Sequence, residues 1–171
     1  DKMKQPESAA SRPRDVYFLA TCVVDQFFPG AGMDAITLLE REGIRVHFPD
    51  EQTCCGQPAY TSGFPDEARK VAAHQLTLFP NDWPVVVPSG SCAGMMKHHY
   101  PTLFEADPVR KKLAESLSAR VYELTDFLVN VLDWQPEDKG SDCTVVLHTS
   151  CSARREMGVH LTGRKLLGGL N

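Results

Sequence analysis

Cys54 and Cys55 stand side by side, with Cys22 thirty-one residues before the pair and Cys92 thirty-six residues after it. Neighbouring cysteines close only a strained ring on oxidation and make poor structural staples. As vicinal thiolates, however, both can present sulfur to one polynuclear centre. If the four sulfurs act together, three distant stretches of chain must meet, and few folds bring such stretches together. The local sequence points to one that does. Residues 16–21 (VYFLAT), 45–48 (RVHF), 84–87 (PVVV) and 144–148 (TVVLH) are short, apolar and β-branched or aromatic, the pattern of buried strands. Cys22, the Cys54–Cys55 pair, Cys92 and Cys151 each follow one of them.

Between the runs lie helical patterns. Gly30, Ala31 and Gly32 open one, with Met33, Ile36, Leu38 and Leu39 on its apolar side and Gly43 as its stop. Pro65, Asp66 and Glu67 start a second, reaching about residue 78, and a third is expected over 93–100. Residues 113–117 and 124–132 read as further helical pieces, with Val121 and Tyr122 a short strand between them. Strands alternating with helices give an α/β class: a three-layer α/β/α fold with a mainly parallel, Rossmann-like sheet. The strand ends of a parallel sheet share one rim, where ligand sites form. The rim therefore collects Cys22, Cys54, Cys55, Cys92 and Cys151, whereas Cys143 precedes its strand and belongs at the opposite end.

Soft thiolates select iron–sulfur clusters or zinc over hard cations. Zinc sites draw on close C-x-x-C pairs, which this chain lacks, and adjacent cysteines sit awkwardly on one tetrahedral ion, so the spacing favours a cluster. Gly56 suits the turn that faces the pair inward. Gly90 and the amides of the following helix start are candidate donors to cluster sulfur. Two other readings remain: a thiol redox enzyme cycling Cys54 and Cys55 through a disulfide, and a structural zinc module. Considered singly, Cys22 and Cys92 also read as small buried apolar residues.

The remaining features are bland by comparison. The 22 acids exceed the 18 bases, for a formal charge of −4, which gives no reason to expect nucleic acid or an anionic membrane as partner. No apolar stretch has the length of a membrane span. Residues 1–15 are polar and read as a flexible tail, without the apolar segment of an export signal, so a cytoplasmic location is expected. Six cysteines without an export signal fit metal or redox use better than a disulfide framework. His98 and His99 are read as solvated or capping groups, His148 as a hydrogen-bonding neighbour of the Cys151 loop, and Asp25 and Gln26 as lining the pocket mouth. No Ser-His-Asp or paired-carboxylate set is spaced for catalysis, and Gly30-Ala31-Gly32 lacks the remainder of a phosphate loop.

The run Cys22 … Cys54-Cys55-Gly56 … Ser89-Gly90-Ser91-Cys92 resembles the cysteine-rich CCG domain of the heterodisulfide reductases and their relatives. Four stretches, ATCVVDQ from Ala20, QTCCGQPA from Gln52, PSGSC from Pro88 and KHHYP from Lys97, are similar to the lactate-utilisation protein A branch. That resemblance implies an iron–sulfur subunit of a cytoplasmic complex oxidising L-lactate to pyruvate. It also implies partner subunits, one of them a ferredoxin-like electron carrier, with glycolate-oxidase-type subunits as close relations. Two departures matter. Ser89 stands where the pattern's C-x-x-C has its first cysteine, so four thiolates remain, a set suited to one [4Fe–4S] cluster with Ser89 as a hydrogen-bond donor or an oxygen ligand. The family carries two repeats. Residues 16–142 are then the first, and His148-Thr149-Ser150-Cys151 resembles the opening of a second over 143–171 that stops before its own cysteine pair.

Overall fold

A computed structural model of the chain describes residues 12–137 and 143–169. Its centre is a four-stranded sheet in the order β2-β1-β3-β4, with every pair parallel. The strands are β1 (Asp15–Phe18), β2 (Arg45–His47), β3 (Val85–Val87) and β4 (Val121–Glu123). Register is set by Val16 opposite Val46, Tyr17 opposite Val85, and Val86 opposite Tyr122. The expected stretch of residues 1–15 falls mostly outside the described residues; of the remainder, Arg12 donates to the Glu42 carbonyl and Asp15 opens β1.

Apolar residues run almost without interruption through β1 and β3 because both sheet faces are covered, as parallel sheets require. Val16, Phe18 and Val86 point into one layer, where they meet Ala35 and Leu39 of α2 (Pro29–Arg41) and Phe127, Leu128 and Leu132. Tyr17, Leu19, Val85, Val87 and Val121 point into the other. There they meet Ala68 and Ala72 of α4 (Pro65–Gln75), Met95, Met96 and Tyr100, and Ala114 and Leu117 of α7 (Pro108–Ser118). The three-layer α/β/α arrangement expected from the sequence is the one observed. Among the described residues no helix is long and apolar enough to cross a membrane.

Several elements differ from the sequence expectation. A short helix, α1 (Cys22–Phe27), begins at Cys22 itself, capped by the Thr21 hydroxyl, which accepts from the Val24 amide at 3.3 Å; Pro29 then starts α2 as a separate helix. The cysteine-pair loop contains α3 (Gln57–Thr61). The helix after β3 starts earlier than expected, at α5 (Gly90–Gly94), and passes through a π-turn (Met95–His99) into α6 (Tyr100–Leu103). After β4, α8 (Leu124–Asp126) continues through a second π-turn (Phe127–Val131).

Residues 144–148, expected to be the last strand, are not a strand. The segment is irregular, and Val146 is 88% exposed. β-branched composition expresses a preference, but a strand exists only within a hydrogen-bonded ladder, and this run pairs with no described strand. Cys151 accordingly opens α9 (Cys151–Arg155) rather than ending a strand, and α10 (Val159–Leu167) follows. α9 lies against α5 so closely that a Cβ at Gly90 would collide with Ala153, and one at Gly94 with the Glu156 carboxylate. Gly90→Val should therefore lift α9 and α10 from the domain while leaving the sheet folded. Hydrogen exchange should quicken across residues 151–167 with little change in the amides of β1 and β3.

Candidate cysteine site at the sheet rim

The chain runs from β1 outward to β2, then returns across β1 to β3 on its other side. The connections leaving β1 and β3 therefore diverge, and a crevice opens between them at the rim, as in other open α/β sheets. Cys22 follows β1 and Cys92 lies in the first turn after β3, so they flank this crevice, and the loop after β2 brings Cys54 and Cys55 to it. Cys22 Sγ lies 3.9 Å from Cys54 Sγ. Cys55 and Cys92 are near enough to shift each other's acidity in opposite directions, and Cys22 senses the charges of both Cys54 and Cys92. All four predicted sulfurs are thus brought together. Cys55 and Cys92 are buried, while Cys22 and Cys54 reach solvent along a cleft of about 400 Å3 whose walls include Phe48, Gln52 and, as expected, Asp25 and Gln26.

The backbone around the sulfurs is held at several points. Thr21 has φ +56 and ψ 144, a conformation that costs a β-branched residue about 1–3 kcal/mol and that the surrounding contacts must hold in place. Gly56 has φ +85, and a Cβ there would stand 3.2 Å from the Ala68 carbonyl, so the expected turn glycine is required on both conformational and steric grounds. Its amide also donates to Cys54 Sγ at 3.4 Å.

The loop carrying the pair is fastened by side chains that the sequence alone does not single out. Gln52 accepts from the Ala20 amide and donates to the Phe18 carbonyl, both at 3.0 Å, so its side chain pairs with the end of β1 as a neighbouring strand would. His74 donates to the Glu51 carbonyl at 2.9 Å. Gln75, fully buried, donates to the Thr53 carbonyl at 2.9 Å and to the Thr53 hydroxyl at 3.0 Å. The Tyr100 hydroxyl, also fully buried, donates to the Cys55 carbonyl at 2.8 Å. Gln52 and Tyr100 lie within the motif stretches ending in QPA and YP, but only the folded chain shows which carbonyls they meet.

Burial and its neighbours set the thiol acidities. Cys55 is pushed far up, by donating its proton to Cys92 and by burial. Cys92 is drawn down to about 7 by that hydrogen bond, against the opposing effect of burial, with further help from the Ser89 and Ser91 hydroxyls. Cys22 is raised by burial and by the charges of Cys54 and Cys92. The Ser89 hydroxyl lies 3.3 Å from that of Ser91, and both favour the Cys92 thiolate, whereas Gly90 serves as the contact point for α9. His98 donates to the Glu156 carbonyl at the C-terminus of α9, the capping role anticipated for it. His99 sits 3.3 Å from the Glu156 carboxylate and packs on Tyr60. Cys151 and His148 are exposed. Among the described residues, no three His, Cys, Asp or Glu side chains are grouped as a single-ion site; the four sulfurs approach in two pairs.

Residues 16–97 match the family described as CCG: Cysteine-rich domain, which spans every one of these four cysteines. Over most of its length the chain is similar to the lactate utilization proteins A. It is 46% identical over 143 residues to lactate utilization protein A of Shouchella clausii, covering 82% of this chain and 59% of that one. To the Halalkalibacterium halodurans protein of the same name it is 43% identical over 143 residues, covering 84% and 58%. To the one from Geobacillus sp. WCH70 it is 42% identical over 152 residues, covering 89% and 63%. The chain therefore spans about three-fifths of the length of these relatives. No solved structure matches it.

Two outcomes follow for the reduced, metal-free protein. Thiolate absorbance should titrate one sulfur with a midpoint near pH 7, and Cys55→Ala should move that midpoint upward by removing its hydrogen-bond donor. Because Cys92 ionises below its unfolded-state value, urea stability should rise with pH between about 7 and 9; above 9 it should fall, since Cys55 resists the ionisation available to it when unfolded.

Proposed function

We propose that Cys22, Cys54, Cys55 and Cys92 hold an iron–sulfur cluster, [4Fe–4S] in type, and that the chain serves as the electron-transfer subunit of a cytoplasmic L-lactate-oxidising complex. The observation that carries this reading is the convergence of four soft sulfur donors, from three distant segments, at the switch point of a parallel sheet. The donor set fits the group. It is all thiolate, with the Gly56 amide directed at one sulfur and serine hydroxyls at another, the kind of contacts that raise a cluster's reduction potential. Bound there, a cluster supplies one-electron transfer. The chain's own residues hold and orient the sulfurs and shield the deeper pair from water.

The lactate context is supported by the name its relatives carry, lactate utilization protein A. On this reading the partners are the other lactate-utilisation subunits, including a ferredoxin-like iron–sulfur carrier; a glycolate-oxidase-type complex is the nearest alternative setting. Residues 143–171 are read as the opening of a second cysteine-rich repeat, with α9 packed on the helix that carries Cys92.

A second reading is favoured by one observation. A thiolate acidified to about 7 beside a protonated neighbour, as Cys92 is beside Cys55, is also the arrangement of a dithiol redox centre. Iron and acid-labile sulfide on anaerobically reconstituted protein separate the two. The cluster reading expects about four of each per chain, with a broad charge-transfer absorption. Absence of both, with metal-free turnover of a disulfide substrate, would establish the dithiol enzyme instead. Cys55→Ser and Cys92→Ser should each abolish iron binding. Ser89→Ala should retain the iron but lower the potential, because one hydrogen bond to sulfur is lost.

A further inference from the structure

We propose that the surface around the Cys22–Cys54 cleft is the docking face for a redox protein whose own contact surface has an apolar centre ringed by lysines and arginines; this rests on the electron-transfer reading above. Charge supplies the first argument. The two stretches that line the cleft, residues 19–28 and 48–56, contain no Lys or Arg, although the chain has 18 of them. The same stretches carry Asp25, Asp50 and Glu51. Asp25 and Asp50 line the cleft itself, beside the thiols. A face of one charge sign steers partners of the other and repels its own kind.

The second argument is apolar surface. α1 has no buried residue. Its Val23 and Phe27 are four apart and so share one side of the helix. Phe27 is 70% exposed, the adjoining Phe28 62% and Met33 61%, while Phe48 forms part of the cleft wall. Single exposed apolar residues are ordinary, but two adjacent exposed phenylalanines at the end of the helix that starts at a site cysteine mark an interaction surface. The third argument is position. Of the four sulfurs, Cys22 and Cys54 are the two that reach solvent, and they open onto this face. Electron-transfer encounters use small interfaces, below about 1,200 Å2, for which an apolar centre of a few aromatics with a charged rim is sufficient.

The test uses ferricytochrome c, a basic haem protein, as probe, titrated into the isotope-labelled full chain and followed by amide chemical shifts. Perturbations should be confined to residues 22–34 and 48–54, and affinity should fall about tenfold from low salt to near-physiological salt as the charges are screened. Phe27→Ser combined with Phe28→Ser should weaken binding about fivefold, and both sites are exposed, so circular dichroism should show the fold retained. Perturbation of another face, or binding indifferent to salt and to both phenylalanines, would overturn the proposal. So would shifts on these residues that change on dilution without cytochrome c, since those assign the face to a second copy. Iron and sulfide content of the reconstituted protein is read separately. Docking without iron sinks the electron-transfer reading and leaves the surface; iron without docking does the reverse.

Discussion

The hydrogen-bonded pairing of β1 with β3 is the constraint on which the rest of the site depends. The Tyr17 amide donates to the Pro84 carbonyl at 2.8 Å and the Leu19 amide to the Val86 carbonyl at 3.0 Å. Because β2 occupies the other side of β1, this pairing makes β1 the point where the chain reverses its direction across the sheet. A crevice at the rim follows from topology alone. Cys22 and Cys92 enter it from opposite walls without any special loop geometry. Displacing β3 to the outer side of β2 would close the crevice and separate the two sulfurs by the width of an extra strand.

Topology brings the segments close but does not orient the sulfurs. That falls to a short stretch of backbone, residues 51–55, whose carbonyls accept from His74, Gln75 and Tyr100 while the Gln52 side chain pairs with the end of β1. His74 and Gln75 come from α4 and Tyr100 from α6, so the helical layer that covers one sheet face also fixes the cysteine loop. Each such bond contributes about 1 kcal/mol net, and more where its loss leaves a buried group unpaired. Together they are large enough to offset the strained conformation of Thr21, which aims Cys22. The same layer therefore supplies both stability and positioning.

Much of this is legible in the sequence because the signals are local. Fully apolar runs specify β1 and β3, and the cysteines follow them at the position where a parallel sheet gathers its strand ends. Gly56 is readable as a turn residue because only glycine tolerates its conformation. What is not legible depends on contacts between distant residues. Nothing in the spelling of Gln75 or Tyr100 says which carbonyl it will meet. Gly90 reads as a candidate neighbour of the site, yet its lack of a side chain is used by Ala153 of α9, more than sixty residues away. Residues 144–148 carry strong β propensity but have no described strand beside them, so propensity and outcome part there.

The four sulfurs are not equivalent, and that inequality bears on how such a centre would work. Cys55 and Cys92 lie inside, with their acidities pushed in opposite directions and with Tyr100 holding the Cys55 carbonyl. Cys22 and Cys54 face a cleft walled by the carboxylates of Asp25 and Asp50 and by Phe48. Hydrogen bonds and burial at the inner pair tune energy, because a low dielectric strengthens each such interaction. Exposure at the outer pair gives access, because transfer to a partner requires a short path through few intervening atoms. A centre buried on all sides would be well tuned but out of reach, and one exposed on all sides would be open to water and oxygen. Placing the sulfurs at a sheet rim, with one pair toward the core and one toward the open cleft between the loops after β1 and β2, satisfies both requirements with a single fold.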